Sequence, residues 1–312
     1  MSNVAINGIA FEYDGWLQPN VEDPLGDGFE GYIGMQKGIF TRGPVSGTGA
    51  TAGQAPGPWS YSTQLAAATV ENCTAVSFQA CTFEHLGGAA ISLFYNTSDS
   101  TIIQCMISDV GGTGVVVNGD EDAISTNADP STSGGYGDLI SYNTIEAIGV
   151  DYADSTGIQA GSCLQLSIEN NSLSDMPSDA ISDGRVHTGY PSTCYISGNT
   201  INHTNRLMAD GAGIYLDSSN WDPDFDGGFG TIVQDNSIFH LGPFDTAENG
   251  GPPIYGVYLD QGCVGATVRD NIIRYFTGDQ PVFPNSHLLH PTIIGLRTSG
   301  LANGKNIASY DN

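Results

Sequence analysis

Short apolar runs, not helical stripes, organise this chain. The pattern Asn-x-Ile recurs, with a β-branched or apolar residue three positions before the Asn: LISYNTI at 139–145, ISGNTI at 196–201, IVQDNSI at 232–238 and TVRDNII at 267–273. LSIENNSL at 166–173 closes on Leu, while QACTFEHLGG at 79–88 and IIQCMISDV at 102–110 carry Cys in the Asn slot. INGIAFEY at 6–13 reads as an earlier copy. A second run follows in each unit: AAISLF at 89–94, TGVVVN at 113–118, TGIQA at 156–160, DAISD at 179–183, AGIYLD at 212–217 and YGVYLD at 255–260. Such runs, bounded by Gly, Asn, Asp and Ser, predict short strands and tight turns. No amphipathic helix of ten residues lies between them, which excludes a βαβ crossover.

Anchors at 81, 105, 143, 171, 199, 236 and 271 are spaced by 24, 38, 28, 28, 37 and 35 residues. A unit of 24–28 residues with two or three short strands fits one coil of a parallel β-helix. The prediction is an all-β, right-handed parallel β-helix, one domain over 1–312, with insertions collected on one face. The Gly/Pro-rich stretch at about 14–62 is the longest insertion. The Asn column has a structural role. Stacked Asn side chains hydrogen-bond along the axis, and Asn tolerates the left-handed backbone that such turns need. Sandwiches and propellers rank lower, because Asn-Gly hairpin signals between the strands are missing.

DGAGIYLD at 210–217 and YGVYLD at 255–260 fall in one slot of consecutive coils. Asp217 and Asp260 each follow a β-branched residue, Ile214 or Val257, by three positions, so they are expected one rung apart, about 4.8 Å. Like charges that close raise one pKa. Asp210 opens the first of these strands, Asp154 takes the matching slot two coils earlier, and Asp183 is placed near the same column. A line of carboxylates on one face is therefore predicted, with Tyr215, Tyr258, Tyr255 and Trp221 beside it. Paired carboxylates are what glycosidic cleavage uses: one protonates the leaving oxygen, the other attacks or activates water. Aromatic rings give sugars flat faces to pack on. A lone Asp reads as a turn residue; the set at 210, 217 and 260 points to chemistry.

Composition narrows the partners. There are 34 acidic side chains against 8 basic, a net charge of −26. That surface repels nucleic acid and anionic membranes, and no apolar stretch is long enough to span a bilayer. Polyanionic glycans are repelled too unless a metal bridges them. Four Asn-x-Ser/Thr sequons begin at Asn72, Asn96, Asn170 and Asn202, and with few lysines they point to a secreted protein. Six cysteines form no CxxC pair. At most one or two disulfides are expected, Cys163–Cys194 first, because these two fall diagonally in adjacent coils; Cys81 and Cys105 share a slot and suit a thiol ladder. WDPDFDGG at 221–228 places Asp222, Asp224 and Asp226 as the first half of a calcium loop, but Val233 stands where a bidentate Glu belongs. It reads either as a structural calcium site or as an acidic turn; no other cofactor is required. His85, in EHLGG, is a substrate contact or a turn histidine.

Several stretches carry a resemblance: INGIAFEYDGW at 6–16, GYIGMQKG at 31–38, TFEHLGGAAI at 82–91, DGAGIYLD and YGVYLDQG at 255–262. Together they resemble the β-helical glycoside hydrolases, glycoside hydrolase family 141 in particular, over most of the chain. The resemblance implies a glycosidic carboxylate pair, mapping to Asp210 and Asp260. Asp217 stands where the family has Gly or a small residue, which leaves Asp217 with Asp260 as the other pair. The chain enters at the family's mid-barrel segment, so upstream coils and a cap are expected to be missing. An uncapped end suits self-association, hence a homo-oligomer. The expected partner is a polysaccharide or oligosaccharide. A polysaccharide lyase or epimerase is the competing enzyme class, and a non-catalytic glycan-binding or self-assembling solenoid the competing structural one.

Overall fold

The computed structural model describes residues 2–15, 66–94, 96–117, 135–152, 155–161, 163–183, 193–207, 211–217, 230–242, 254–260, 266–274, 296–298 and 308–310; at 135, 217, 260, 296–298 and 308–310 it describes the backbone. Every strand pairing among them is parallel, and no described helix is long and apolar enough to cross a membrane. Each coil contributes one strand to each of three sheets. The first sheet has nine strands, from Ser2–Asn7 and Thr74–Gln79 through to Ala308–Tyr310. The second has eight, from Ala10–Glu12 to Ile272–Arg274. The third, also of eight, runs Ala66–Glu71, Ala89–Phe94, Val115–Val117, Ile158–Ala160, Ile181–Asp183, Ala212–Asp217, Tyr255–Asp260 and Leu296–Thr298. This is a parallel β-helix, and INGIAFEY supplies its first described coil.

Apolar columns fill the interior. In the first sheet Phe78, Ile102, Ile140, Ile168, Ile196, Val233 and Val268 stack in register. The second sheet stacks Phe83, Ile107, Ile145, Leu173, Ile201 and Ile238 in the same way. All are buried, each contributing on the order of 1.5–3 kcal/mol by leaving water. One face of each strand turns inward, so the alternation of apolar and polar residues sets the register.

The turn from first to second sheet takes two residues in every described coil: 8–9, 80–81, 104–105, 142–143, 170–171, 198–199, 235–236 and 270–271. Its second position holds the predicted ladder. Asn143 donates to Asn171, Asn171 to Asn199 and Asn199 to Asn236, each at 3.0 Å, and Asn236 donates to Asn271 at 2.9 Å. Each Oδ1 also accepts the backbone N–H of the preceding Asn, and each Nδ2 reaches a strand carbonyl one coil back, as Asn199 does to Ile168. The buried side chains are thereby satisfied by the axial stack. The left-handed backbone falls on the residue before the Asn, at Tyr142, Asn170, Gly198, Asp235 and Asp270, and not on the Asn as its tolerance for that conformation suggested. The Asn must aim its amide along the axis, so its neighbour makes the bend.

Cys81 and Cys105 extend this column, and the Cys105 N–H donates to Asn143 Oδ1 at 2.8 Å. Burial pushes the Cys105 thiol up to about 11, so it stays protonated and unreactive. Cys163 and Cys194 are neighbours as expected, but as two thiols: their Sγ atoms stand 3.8 Å apart, against about 2.05 Å in a disulfide. Cys263 lies outside the described residues.

Candidate active site

The long connections adjoin the third sheet. They lead into its strands from Glu12 to Ala66 and from Phe239 to Tyr255, and out of them from Val117 to Gly135, Asp183 to Cys194 and Asp217 to Ile232. In chain order each of these long connections precedes or follows a third-sheet strand.

Gly-x-x patterns in this sheet have a packing cause. Ile91, Val115, Ile158, Ile181, Ile214 and Val257 form its inward column. The position before it is Ala90, Gly114, Gly157, Ala180, Gly213 or Gly256, at the beginning of the strand or just before it. A Cβ on Gly157 would lie 2.7 Å from the Ala180 carbonyl oxygen and 2.8 Å from the Met176 side chain. A Cβ on Gly114 would lie 2.5 Å from the Gly157 oxygen. Adjacent backbones approach too closely here for a larger residue.

The opposite column runs Thr69, Ser92, Val116, Gln159, Ser182, Tyr215, Tyr258 and Arg297 in register. Val116, with Ala89 and Phe94, forms an apolar cluster separate from the interior core, and so do Tyr215, Tyr255, Tyr258 and Ala212. The Tyr215 and Tyr258 rings meet edge-on at 5.0 Å, and Tyr255 tilts against Tyr258 at 4.9 Å. Ser92 Oγ, Gln159 Oε1 and Ser182 Oγ are buried in this column with no hydrogen-bond partner among the described residues, although Gln159 Nε2 donates to the Ala160 and Ser182 carbonyls. Buried polar groups are rarely left so. Sequence reasoning missed these three. Their signal was the polar letter directly after the isoleucine in AAISLF, TGIQA and DAISD. It also missed Arg297, whose Gly-Leu-Arg-Thr context repeats the slot of Gly-Ile-Tyr-Leu.

Asp217 and Asp260 are Cα register partners, at the ends of adjacent strands. Asp183 is not in their column. Ile181 pairs with Ile214, so Asp183 pairs with Leu216 and is fully buried on the inward side, accepting a hydrogen bond from Thr231 at 2.8 Å. A shift of one residue exchanges the two faces of a strand. Ser182 takes the position alongside Tyr215 instead.

His85 belongs to the second-sheet strand Thr82–Leu86, four coils before the Asp217 strand, about 19 Å along the axis. The structure does not bring it to the tyrosines. Its Nδ1 pairs with Asp109 Oδ2 at 2.6 Å and its ring stacks on Tyr13 at 5.0 Å. The hydrogen bond to Asp109 raises its pKa. Asp154, Asp210, Trp221, Asp222, Asp224 and Asp226 lie outside the described residues.

Buried carboxylates are otherwise structural. Asp179 Oδ1 accepts from the Ala212 N–H at 2.7 Å and from Asn205 at 2.9 Å, which fixes the entry to the Asp217 strand. Asp138 Oδ1 accepts the Ser100 N–H at 2.8 Å while its Oδ2 has no partner among the described residues.

No curated protein matches this sequence. A solved structure named a glycoside hydrolase is similar at a TM-score of 0.62 and 16% identity, over 100% of this chain and 48% of that one. The chain thus spans about half the length of that protein. DFA-IIIase from Arthrobacter chlorophenolicus A6 aligns at 12% identity and a TM-score of 0.44, over 99% of this chain and 65% of that one. Likeness at such identities is a likeness of fold. The family described as the right-handed β-helix region matches residues 66–279, and this chain belongs to it.

Proposed function

We propose that this chain is a glycosidase working on the face of the third sheet that carries Tyr215 and Tyr258, with Asp217 and Asp260 as its carboxylate pair and a neutral polysaccharide or oligosaccharide as substrate. The observation that carries the reading is the register pairing of the two aspartates, two positions beyond a buried tyrosine pair. Strand alternation gives positions 217 and 260 the parity of 215 and 258. Gln159 and Ser182 continue the lane with polar atoms that lack a partner among the described residues, of the kind sugar hydroxyls or ordered water satisfy. The fold shared with a protein named a glycoside hydrolase agrees with this reading, as does the resemblance to family 141.

The mechanism follows from spacing. Matched positions on neighbouring strands lie about 4.8 Å apart, close to the roughly 5 Å that retaining glycosidases place between their carboxyls. Retaining cleavage uses one carboxyl as the acid and the other as the nucleophile. The protonated carboxyl gives its proton to the glycosidic oxygen as the bond to the anomeric carbon breaks. The ionised carboxylate attacks that carbon and forms an ester. Water then displaces the ester, losing its proton to the first carboxylate, and the sugar keeps its configuration. Asp210 is the other partner for Asp260; a wider pair admitting a water would invert. Charge sets the substrate class: a net −26 disfavours uronate polymers, which a lyase or epimerase would need cations to hold. We place the enzyme outside the cell, and assign Asp222, Asp224 and Asp226 as ligands of a structural calcium.

The test is incubation with a panel of plant, algal and fungal polysaccharides and aryl glycosides, reading reducing ends and ultraviolet absorbance together, with Asp260→Asn alongside. Reducing ends without absorbance, lost in the variant, support hydrolysis at Asp260. A gain in absorbance means an unsaturated product and a lyase. Silence in both points to a non-catalytic solenoid.

A further inference from the structure

We propose that Cys163, Asp183 and Cys194 form a zinc site inside the β-helix, at the corner where the third sheet passes into the first. The two thiols and the carboxylate are buried, and one ligand atom from each lies within 4.8 Å of the others. The Sγ–Sγ separation of 3.8 Å is the informative distance. It is about 1.8 Å too long for a disulfide. It equals the edge of a tetrahedron around zinc, about 3.8 Å when each Zn–S bond is about 2.3 Å.

The donor set selects the metal class. Thiolates favour a soft or borderline ion, a carboxylate oxygen is acceptable to zinc, and calcium or magnesium would refuse the sulfurs. Thr231 orients the oxygen ligand: its hydroxyl donates to Asp183 Oδ2 at 2.8 Å and accepts the Cys194 N–H at 3.3 Å. Such outer contacts accompany built metal sites. Binding is an exchange. Zn2+ enters, the two S–H protons leave to solvent, and water takes the fourth position, so affinity rises with pH. The Cys163 thiol now donates to the Gly161 carbonyl at 3.1 Å, a contact the metal would replace. The ion would join three segments: the connector at Cys163–Leu164, the third-sheet strand ending at Asp183, and the first-sheet strand opening at Cys194. It would fix Ser182, next to Asp183, in the column that leads to Tyr215.

The experiment uses the full chain, purified under reducing conditions, loaded with zinc and dialysed. Metal analysis and thiol counting of the denatured protein are read together. The proposal expects about one zinc per chain, lost in Cys163→Ser and Cys194→Ser, weakened at least tenfold in Asp183→Asn, and kept in Cys105→Ala. Where a variant does not fold, cobalt titration of the wild type decides: a thiolate-to-cobalt charge-transfer band with tetrahedral d–d absorption is expected. No cobalt band, zinc retained in both cysteine variants, or two fewer thiols before reductant than after would overturn it, the last showing a disulfide instead.

Discussion

Asp217 and Asp260 are register partners on neighbouring strands of the third sheet, one rung apart. Like charges directly opposite each other on adjacent strands destabilise a sheet. A sequence selected for stability alone would avoid the arrangement. Asp217→Asn and Asp260→Asn are therefore expected to stabilise the fold by a few tenths to about 1 kcal/mol at neutral pH and low salt. Thermal melts in low and high salt check this, since screening should shrink the gain.

The ladder makes the opposite prediction. Asn199 accepts from Asn171 and donates to Asn236 and Ile168, all within the buried interior. Asn199→Ala strands several of those partners, at about 1–3 kcal/mol each before relaxation. A urea midpoint well below wild type is expected. Asn271→Ala, at the last described rung, should cost less.

Gly157→Ala adds a methyl where the Ala180 carbonyl and Met176 already stand within 2.8 Å. The strand must shift to admit it, costing about 1–3 kcal/mol. Equilibrium unfolding of this variant measures the cost, and wild-type stability would show that the two coils are looser than described.

How much of this was legible in the sequence depends on which force left a letter behind. The sheets of the interior were readable, because Ile and Val must recur at each coil and the Asn ladder repeats its own residue. The left-handed turn position was not, since Ala80, Gln104, Tyr142, Gly198 and Asp235 all fill it and share no chemistry. Asp183 was misplaced for a geometric reason. DAISD and AGIYLD both end in Asp, but one is two residues after its isoleucine and the other three. The pleat turned that single residue into the other face of the sheet. The buried polar lane was written as isolated Ser and Gln letters, which carry no period of their own.

Asp138 predicts a pH dependence. Burial pushes its carboxyl up to about 7, against the pull of the Ser100 N–H and with Asp99 adding repulsion. The folded state thus holds a proton that the unfolded chain releases near pH 4. Between these values the native state binds more protons, so stability from this group falls as pH rises from about 4 to about 7. Asp138→Asn keeps the acceptor for Ser100 and removes the titration. Its stability relative to wild type should climb across that window, by up to roughly 1.4 kcal/mol per pH unit. Urea midpoints of both proteins at about pH 5 and about pH 8 give the comparison.

The central claim is that the paired aspartates of the third sheet cleave a glycosidic bond. The most direct measurement is turnover of a glycan that the wild type degrades, by Asp217→Asn and Asp260→Asn side by side, with folding checked by melting temperature. The account predicts folded variants that each lose at least about a hundredfold in rate, and a product that first appears in the substrate's own anomeric configuration. Full activity in Asp217→Asn, or a product of inverted configuration, would contradict it and move the second carboxylate elsewhere.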